Sequence, residues 1–305
     1  MDYLQQLNLL QEYLDLTQQQ LADKFGVSFP SMNSWLNGKS VPRKSKQNQI
    51  LNEYTKTIGK APAVSINDAR LDLIEEARKN SNFLELINKF KDIRESLVLS
   101  LTYHTDKIEG STLTMRETQA ILFENQTVNK SLLEQLEAKN HQTAWNFLLK
   151  QIAEGNFRID EKFILKLHSI LMNGILEDAG LYRNHPVRIV GSRTVTANYM
   201  KVPTLMDELI VDINSLTDSF FNHCAKIHSR FEQIHPFGDG NGRIGRLLLQ
   251  AILLINNYPP SIIEQDKKIR YYEALEKSQI HEDVVPLTAL IIEGILVGLK
   301  LIIIK

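Results

Sequence analysis

His235-Pro236-Phe237-Gly238-Asp239-Gly240-Asn241-Gly242-Arg243-Ile244-Gly245-Arg246 decides how the rest of this 305-residue chain is read. One imidazole, one carboxylate, one amide, four glycines and two guanidinium groups fall within twelve residues. A strand or helix interior has no use for that mixture; a site that binds a polyphosphate and moves a proton does. The segment from Gly240 to Gly245 also fits G-x-G-x-x-G, but that dinucleotide fingerprint must follow a buried strand. Here Phe221–Ile234 alternates apolar and polar residues at helical spacing, and His235-Pro236 stops it, so the dinucleotide fold is set aside. What remains is helix, anion-binding loop, helix. Asp239 to Gly242 make a turn with inward N–H groups, and Leu247–Ile255 continues as a helix whose N-terminus attracts a phosphate. Arg243 and Arg246 share a face and suit a bidentate grip on a di- or triphosphate. Asp239 is the candidate Mg²⁺ ligand, because such ions on nucleotide phosphates use only one or two protein carboxylates. His235 can take a proton from an incoming hydroxyl, and Phe237 is expected to anchor the loop in the core.

Outward from that run, helical periodicity dominates. Gly and Pro are sparse (14 and 9 residues), and stretches such as Leu71–Phe90 and Phe163–Ile175 repeat apolar residues at three and four. Val187-Arg188-Ile189-Val190, the turn Gly191-Ser192-Arg193 and an extended piece near Tyr199–Val202 predict one small hairpin. Gly59-Lys60-Ala61-Pro62-Ala63 ends one pattern and Asn67-Asp68-Ala69 starts another. That divides the chain into residues 1–58 and 65–305. The net charge of −1 excludes a globally basic nucleic-acid coat but not a local basic patch. The single Cys224 excludes an internal disulfide, and with no signal peptide evident a cytoplasmic protein is expected. Cys224, His228 and His235 are too few to make a zinc site. Val284–Ile304 is strongly apolar but carries Glu293 and Lys300, so a buried C-terminal helix is expected rather than a membrane span.

In the N-terminal part, Thr17 is a plausible N-cap. Leu21, Ala22 and Phe25 form one apolar face, Gly26 permits a left-handed turn, and Ser28 caps a second helix, Phe29–Leu36. This is helix-turn-helix spacing. Together with Trp35-Leu36-Asn37-Gly38-Lys39-Ser40-Val41-Pro42, residues 1–58 resemble the phage-repressor-like, Cro-type helix-turn-helix family. The resemblance implies that Pro30, Ser31, Asn33 and Ser34 face DNA. Lys39, Arg43, Lys44 and Lys46 form an acid-free basic cluster suited to phosphates.

The 235–246 run matches H-x-F-x-[DE]-G-N-G-R-x-x-R at every fixed position, and on it the chain resembles Fic-domain proteins over residues 65–305. Gly180-Leu181-Tyr182-Arg183 and Val187–Gly191 look like the segment leading into that family's β-hairpin flap. The resemblance implies a mainly α fold with a small flap, and transfer of AMP from ATP to a Tyr, Ser or Thr hydroxyl of a target protein. It assigns His235 as base and Asp239 as the Mg²⁺ holder. Gly240, Asn241 and Gly242 would stabilise the α-phosphate, and Arg243 and Arg246 the outer phosphates. Ile189, Val190 and Gly191 would touch nucleotide and clamp the target by strand addition, with Tyr271 and Gln279 on the adenine side. Thr105-Asp106-Lys107-Ile108-Glu109-Gly110 matches the family's inhibitory motif [ST]-x-x-x-E-[GN], on a helix expected at about 96–110. By that likeness Glu109 pairs with Arg246 and displaces the γ-phosphate; the same glutamate in some members supports AMP removal.

Two readings follow. One is an adenylyltransferase held off by Glu109. The other is a DNA-bound transcriptional regulator whose second domain senses nucleotide with little turnover. A homodimer suits half-site binding and the apolar tail.

Overall fold

The computed structural model describes residues 3–14, 16–57, 68–124, 126–155, 157–189, 192–215 and 219–303. The chain divides into two compact units, Met1–Ser65 and Ile66–Lys305, each described by itself. The junction expected at Gly59–Ala63 and Asn67 lies outside the described residues.

The first unit holds α1 (Tyr3–Tyr13), α2 (Gln18–Phe25), α3 (Phe29–Leu36) and α4 (Lys44–Thr57). Thr17 and Gln20 cap α2 reciprocally, so two otherwise orphaned N–H groups are satisfied. Gly26 ends α2 at φ 60°, a conformation that costs glycine little. Ser28 caps α3, with Pro30 in its first turn. Leu7, Leu10, Leu21, Ala22, Phe25, Met32, Trp35 and Ile50 form the core of this unit.

The second unit runs α5 (Asp68–Asn80), α6 (Phe83–Lys89), α7 (Lys91–Glu109), α8 (Met115–Phe123), α9 (Leu132–Ala153), α10 (Glu161–Leu171), α11 (Val202–Ile213), α12 (Phe220–Ile234), α13 (Asn241–Ile255), α14 (Lys268–His281) and α15 (Val285–Ile303). The amphipathic stretch 71–90 is broken where Asn82 caps α6. The helix expected at about 96–110 begins earlier, at Lys91. In α13 every residue from Arg243 to Leu254 is buried. A helix buried on all sides belongs at the centre of a fold, and α13 packs against α7, α9, α10 and α12. Its N-terminus is thereby surrounded by the ends of other helices.

The expected hairpin is corrected. Among the described residues no strand forms, and Val190 and Gly191 lie outside them. Tyr199–Lys201 is a 3-10 turn running straight into α11. The Asn198 side chain caps that turn by accepting from the Met200 N–H at 3.0 Å, and Pro203 sits in the first turn of α11, which favours helix over ladder. The two legs are tied through a side chain instead: the Thr196 hydroxyl donates to the Val187 carbonyl at 2.7 Å.

Among the described residues α15 is the one helix long and apolar enough to cross a membrane. More than half of it is buried within the fold, and Glu293 on it accepts two 2.8 Å hydrogen bonds from Arg270.

Candidate active site

The loop between α12 and α13 is built by side chains that use up its backbone. His235 ends α12 in a left-handed conformation, φ 52°. The Asn241 amide locks the turn: its oxygen accepts from the Phe237 N–H and its nitrogen donates to the Phe237 carbonyl, both at 2.9 Å. The amide oxygen and one of the two amide N–H donors are thus engaged inside the loop. Phe237 is fully buried and stacks on the His168 ring at 3.7 Å between centroids. His168 accepts from the Gly180 N–H at Nδ1, 2.8 Å, so its Nε2 carries the proton donated to the Asp239 carbonyl at 3.1 Å. Gly240 lies at φ 78°, and a Cβ there would stand 2.7 Å from the Met172 sulfur.

With the loop so fixed, the first N–H groups of α13 have no partners within their own helix and face outward with the positive end of its dipole. A carboxylate lies over them. A Cβ on Gly242 would meet Glu109 Oε1, so the carboxylate lies directly over that residue. The same oxygen accepts from Arg246 Nη2 at 2.5 Å. Arg246 is buried and also donates from Nε to the Thr105 hydroxyl at 2.5 Å. Burial acts to raise the Glu109 pKa, but the charge and hydrogen bond of Arg246, with Arg243 and Lys268, bring it below the usual carboxylate range. Arg243, also buried, donates from Nη1 to Glu137 at 2.6 Å and lies 3.8 Å from Asp239 Oδ2.

His235 is half-buried. Its Nδ1 lies 3.1 Å from the Glu232 carbonyl, which can only accept, so the proton sits on Nδ1 and Nε2 is left as the acceptor. Burial lowers the pKa of this ring most, and Arg183 adds to the effect; both keep the imidazole neutral and fit to act as a base. Asp239 has its side chain largely exposed, 64%, with one oxygen accepting from the Gly240 N–H at 2.6 Å. An exposed carboxylate beside the Arg243 guanidinium fits a cation shared with phosphate oxygens rather than a protein cage. Among the described residues there is no group of three or more His, Cys, Asp or Glu side chains suited to a metal.

Other expected residues stand elsewhere. Tyr271 is fully buried; its hydroxyl meets His228 Nε2 at 2.7 Å, so it backs the arginine cage and offers no open face to an adenine. Gln279 is likewise taken: Oε1 accepts from the Thr194 hydroxyl at 2.8 Å and Nε2 donates to the Ser229 carbonyl at 3.1 Å. It fastens the segment after Gly191 to α12 and α14. The Ile189 carbonyl accepts from the Ser192 N–H at 3.3 Å. Sequence reasoning missed Glu137, His168, the role of Arg183 and the bond of Thr105 to Arg246. Only the quoted Gly-Leu-Tyr-Arg run pointed toward any of them.

In the first unit, the side chains expected to face DNA are turned to their neighbours. Ser31 shares a hydrogen bond with Ser28 at 2.9 Å, Ser34 with Ser40 at 2.7 Å, and Asn33 donates to Gln18 at 3.0 Å. Lys39, Arg43 and Lys44 are exposed. Lys46 instead donates to the last carbonyl of α2, on Phe25, at 2.6 Å.

The family model described as "Fic/DOC family" matches residues 158–253. Among curated proteins, the chain is 29% identical over 225 residues to "Protein adenylyltransferase fic-1" of Caenorhabditis elegans, covering 72% of this chain and 44% of the relative. It is 30% identical over 196 residues to "Protein adenylyltransferase Fic" of Nematostella vectensis, covering 60% and 44%. The chain thus spans less than half the length of these relatives. The fold is shared with the solved "Fic-1 (aa134 - 508)" of C. elegans, with a TM-score of 0.69, 23% identity and coverage of 93% of this chain and 84% of that one. A Fic-domain signaling protein of Bacteroides thetaiotaomicron gives a TM-score of 0.65 at 24% identity, covering 76% and 96%. Residues 158–253, which contain His235 and the whole anion loop, are therefore the part of the chain that is similar to the Fic/DOC family.

Proposed function

We propose that this chain is a protein adenylyltransferase that moves AMP from ATP to a Tyr, Ser or Thr hydroxyl of a target protein, itself included, and that Glu109 holds it off. One observation carries the reading: a carboxylate sits on Arg246 and over Gly242 at the N-terminus of α13, the place best suited to a phosphate, while His235 keeps an unprotonated nitrogen for a hydroxyl. In the reaction His235 Nε2 takes the hydroxyl proton and the hydroxyl oxygen bonds to the α-phosphorus. The bond to the β-phosphate bridging oxygen breaks and pyrophosphate leaves. The backbone N–H groups of Asn241, Gly242 and Arg243 meet the charge that builds up on the α-phosphate. Arg243 and Arg246 hold the departing phosphates by position and charge. Mg²⁺, held by Asp239, would neutralise part of that charge. The names of the curated relatives support the same activity.

The test is mass spectrometry of purified Glu109→Gly protein incubated with Mg²⁺ and each nucleoside triphosphate. Added AMP in that variant, far above the parent, is the expected result. No nucleotide adduct in either protein, with ATP binding intact, would remove the transferase reading. The same glutamate, placed beside the nucleotide, also suits AMP removal; loss of AMP from pre-labelled protein in the parent but not in Glu109→Gly would support it.

A second reading concerns residues 1–58. Two capped helices joined by the Gly26–Ser28 turn, with Lys39, Arg43 and Lys44 exposed, favour binding to the DNA backbone; the inward hydrogen bonds of Ser31, Asn33 and Ser34 favour weak sequence discrimination. This module would let a dimer of the chain regulate transcription. A mobility-shift titration should show affinity falling steeply with salt; affinity indifferent to salt would sink it.

A further inference from the structure

Arg183 is buried, 3% exposed, yet each hydrogen bond of its guanidinium ends on a backbone carbonyl. Nε donates to His235 at 2.7 Å, Nη1 to His185 at 2.8 Å, and Nη2 to Ala197 at 2.6 Å and Ile234 at 3.3 Å. Its own backbone N–H donates to the Pro236 carbonyl at 2.9 Å. Three consecutive carbonyls, those of Ile234, His235 and Pro236, are therefore held by one residue. They lie where α12 ends, where helix carbonyls lack partners, and where His235 adopts a left-handed conformation at φ 52° that a non-glycine residue keeps only when its surroundings impose it. The His185 and Ala197 carbonyls meet the same clamp.

We propose that Arg183 is a positioning residue for transfer: its fork holds the His235 turn so that Nε2 faces the incoming hydroxyl, and it sets the register of the 187–198 segment against that base. The inference rests on the transferase reading above. Geometry supplies the argument, since three of the five backbone contacts of Arg183 converge on the turn and the other two join His185 and Ala197 to it. The positive charge acts alongside the geometry. Burial lowers the His235 pKa most, Arg183 lowers it further, and the Glu232 carbonyl, Glu109 and Asp239 act in the opposite direction. Removing the cation therefore lets the imidazole protonate at higher pH.

The experiment compares Arg183→Met and Arg183→Lys in full-length Glu109→Gly protein, reading self-labelling from radioactive ATP. Arg183→Met should lower the rate at saturating ATP by about 10²-fold, the cost of a base displaced by an ångström or so, with the half-saturating ATP concentration unchanged. The acid limb of its pH profile, and the His235 titration followed by NMR with His235→Ala as the assignment control, should move to higher pH. Arg183→Lys keeps the cation but not the fork, so its rate should fall while the titration moves less. An unaltered rate in both variants, or a rate loss matched by weaker ATP binding, overturns the proposal; so does an unmoved His235 titration in Arg183→Met. If Arg183→Met does not fold, the Lys variant decides by rate against half-saturation. Should the Glu109→Gly parent bind ATP without labelling, the transferase reading fails, and the NMR titration still decides whether Arg183 governs His235.

Discussion

Arg246 and Arg243 stand one turn apart on α13, both buried, and each is bonded to one glutamate at 2.5 and 2.6 Å. The glutamates differ in where they come from. Glu109 is the last residue of α7, where the negative end of the helix dipole opposes a carboxylate, and its side chain is 33% exposed. Glu137 lies inside α9 and is 20% exposed. On the proposed function the same chemical pair would be a withdrawable plug in one place and a fixed strut in the other. What separates them is the position of the carboxylate along its helix, and only Glu109 lies over the α13 N-terminus.

The largest effect expected from this comparison is loss of the base. In the Glu109→Gly background, His235→Ala should reduce labelling by about 10²–10⁴-fold, the usual contribution of a general base; an equally active double variant would put the chemistry elsewhere. Next comes the plug itself. Glu109→Gly should tighten ATP binding by on the order of tenfold or more, because the binding-competent state is no longer a minor one, whereas Glu137→Gln should not. Calorimetry giving equal gains for both would erase the distinction. The same change should cost stability, since it leaves a buried guanidinium without its carboxylate, and ATP should return part of the lost Tm.

Two smaller effects concern the walls. Asn241→Ala removes both partners of the Phe237 backbone and should destabilise by about 1–3 kcal/mol; chemical denaturation measures it, and a neutral result would mean the loop is held by other contacts. Asp106 lies behind both arginines with neither oxygen hydrogen-bonded, and burial first, offset by Arg243, pushes its carboxyl up to about 8. A folded-state pKa above the unfolded one means that the folded chain keeps a proton the unfolded chain has lost. Stability from this group therefore falls as pH rises from about 4 to about 8. Asp106→Asn should raise Tm at pH 9 more than at pH 5; a gain equal at both would assign the effect to packing.

Much of the site was legible because its parts are local. The loop from His235 to Arg246 is contiguous, Gly240 takes a positive φ within it, and Glu109 was signalled by its own short motif with the Gly110 cap. Tyr271 and Gln279 read as open contacts because a sequence shows residue type but not occupancy; their hydroxyl and amide are consumed by His228, Thr194 and Ser229. The hairpin failed for a related reason. Val187–Ile189 and Tyr199–Val202 have the composition of strands, but Asn198 and Pro203 start a helix, and the legs are joined by side chains.

The sequence alone determined a helical chain in two parts, an anion loop opening a helix and a histidine at its entrance, because capping, periodicity and glycine spacing are short-range properties; the pairing of Glu109 with Arg246 was implied only by the family resemblance. Tertiary structure alone decided that Arg183 holds the carbonyls at the His235 turn, that Glu137 holds Arg243, and that Glu109 meets Arg246. Those contacts join residues far apart in the chain, and which of several buried acceptors a guanidinium finds depends on how the helices cross.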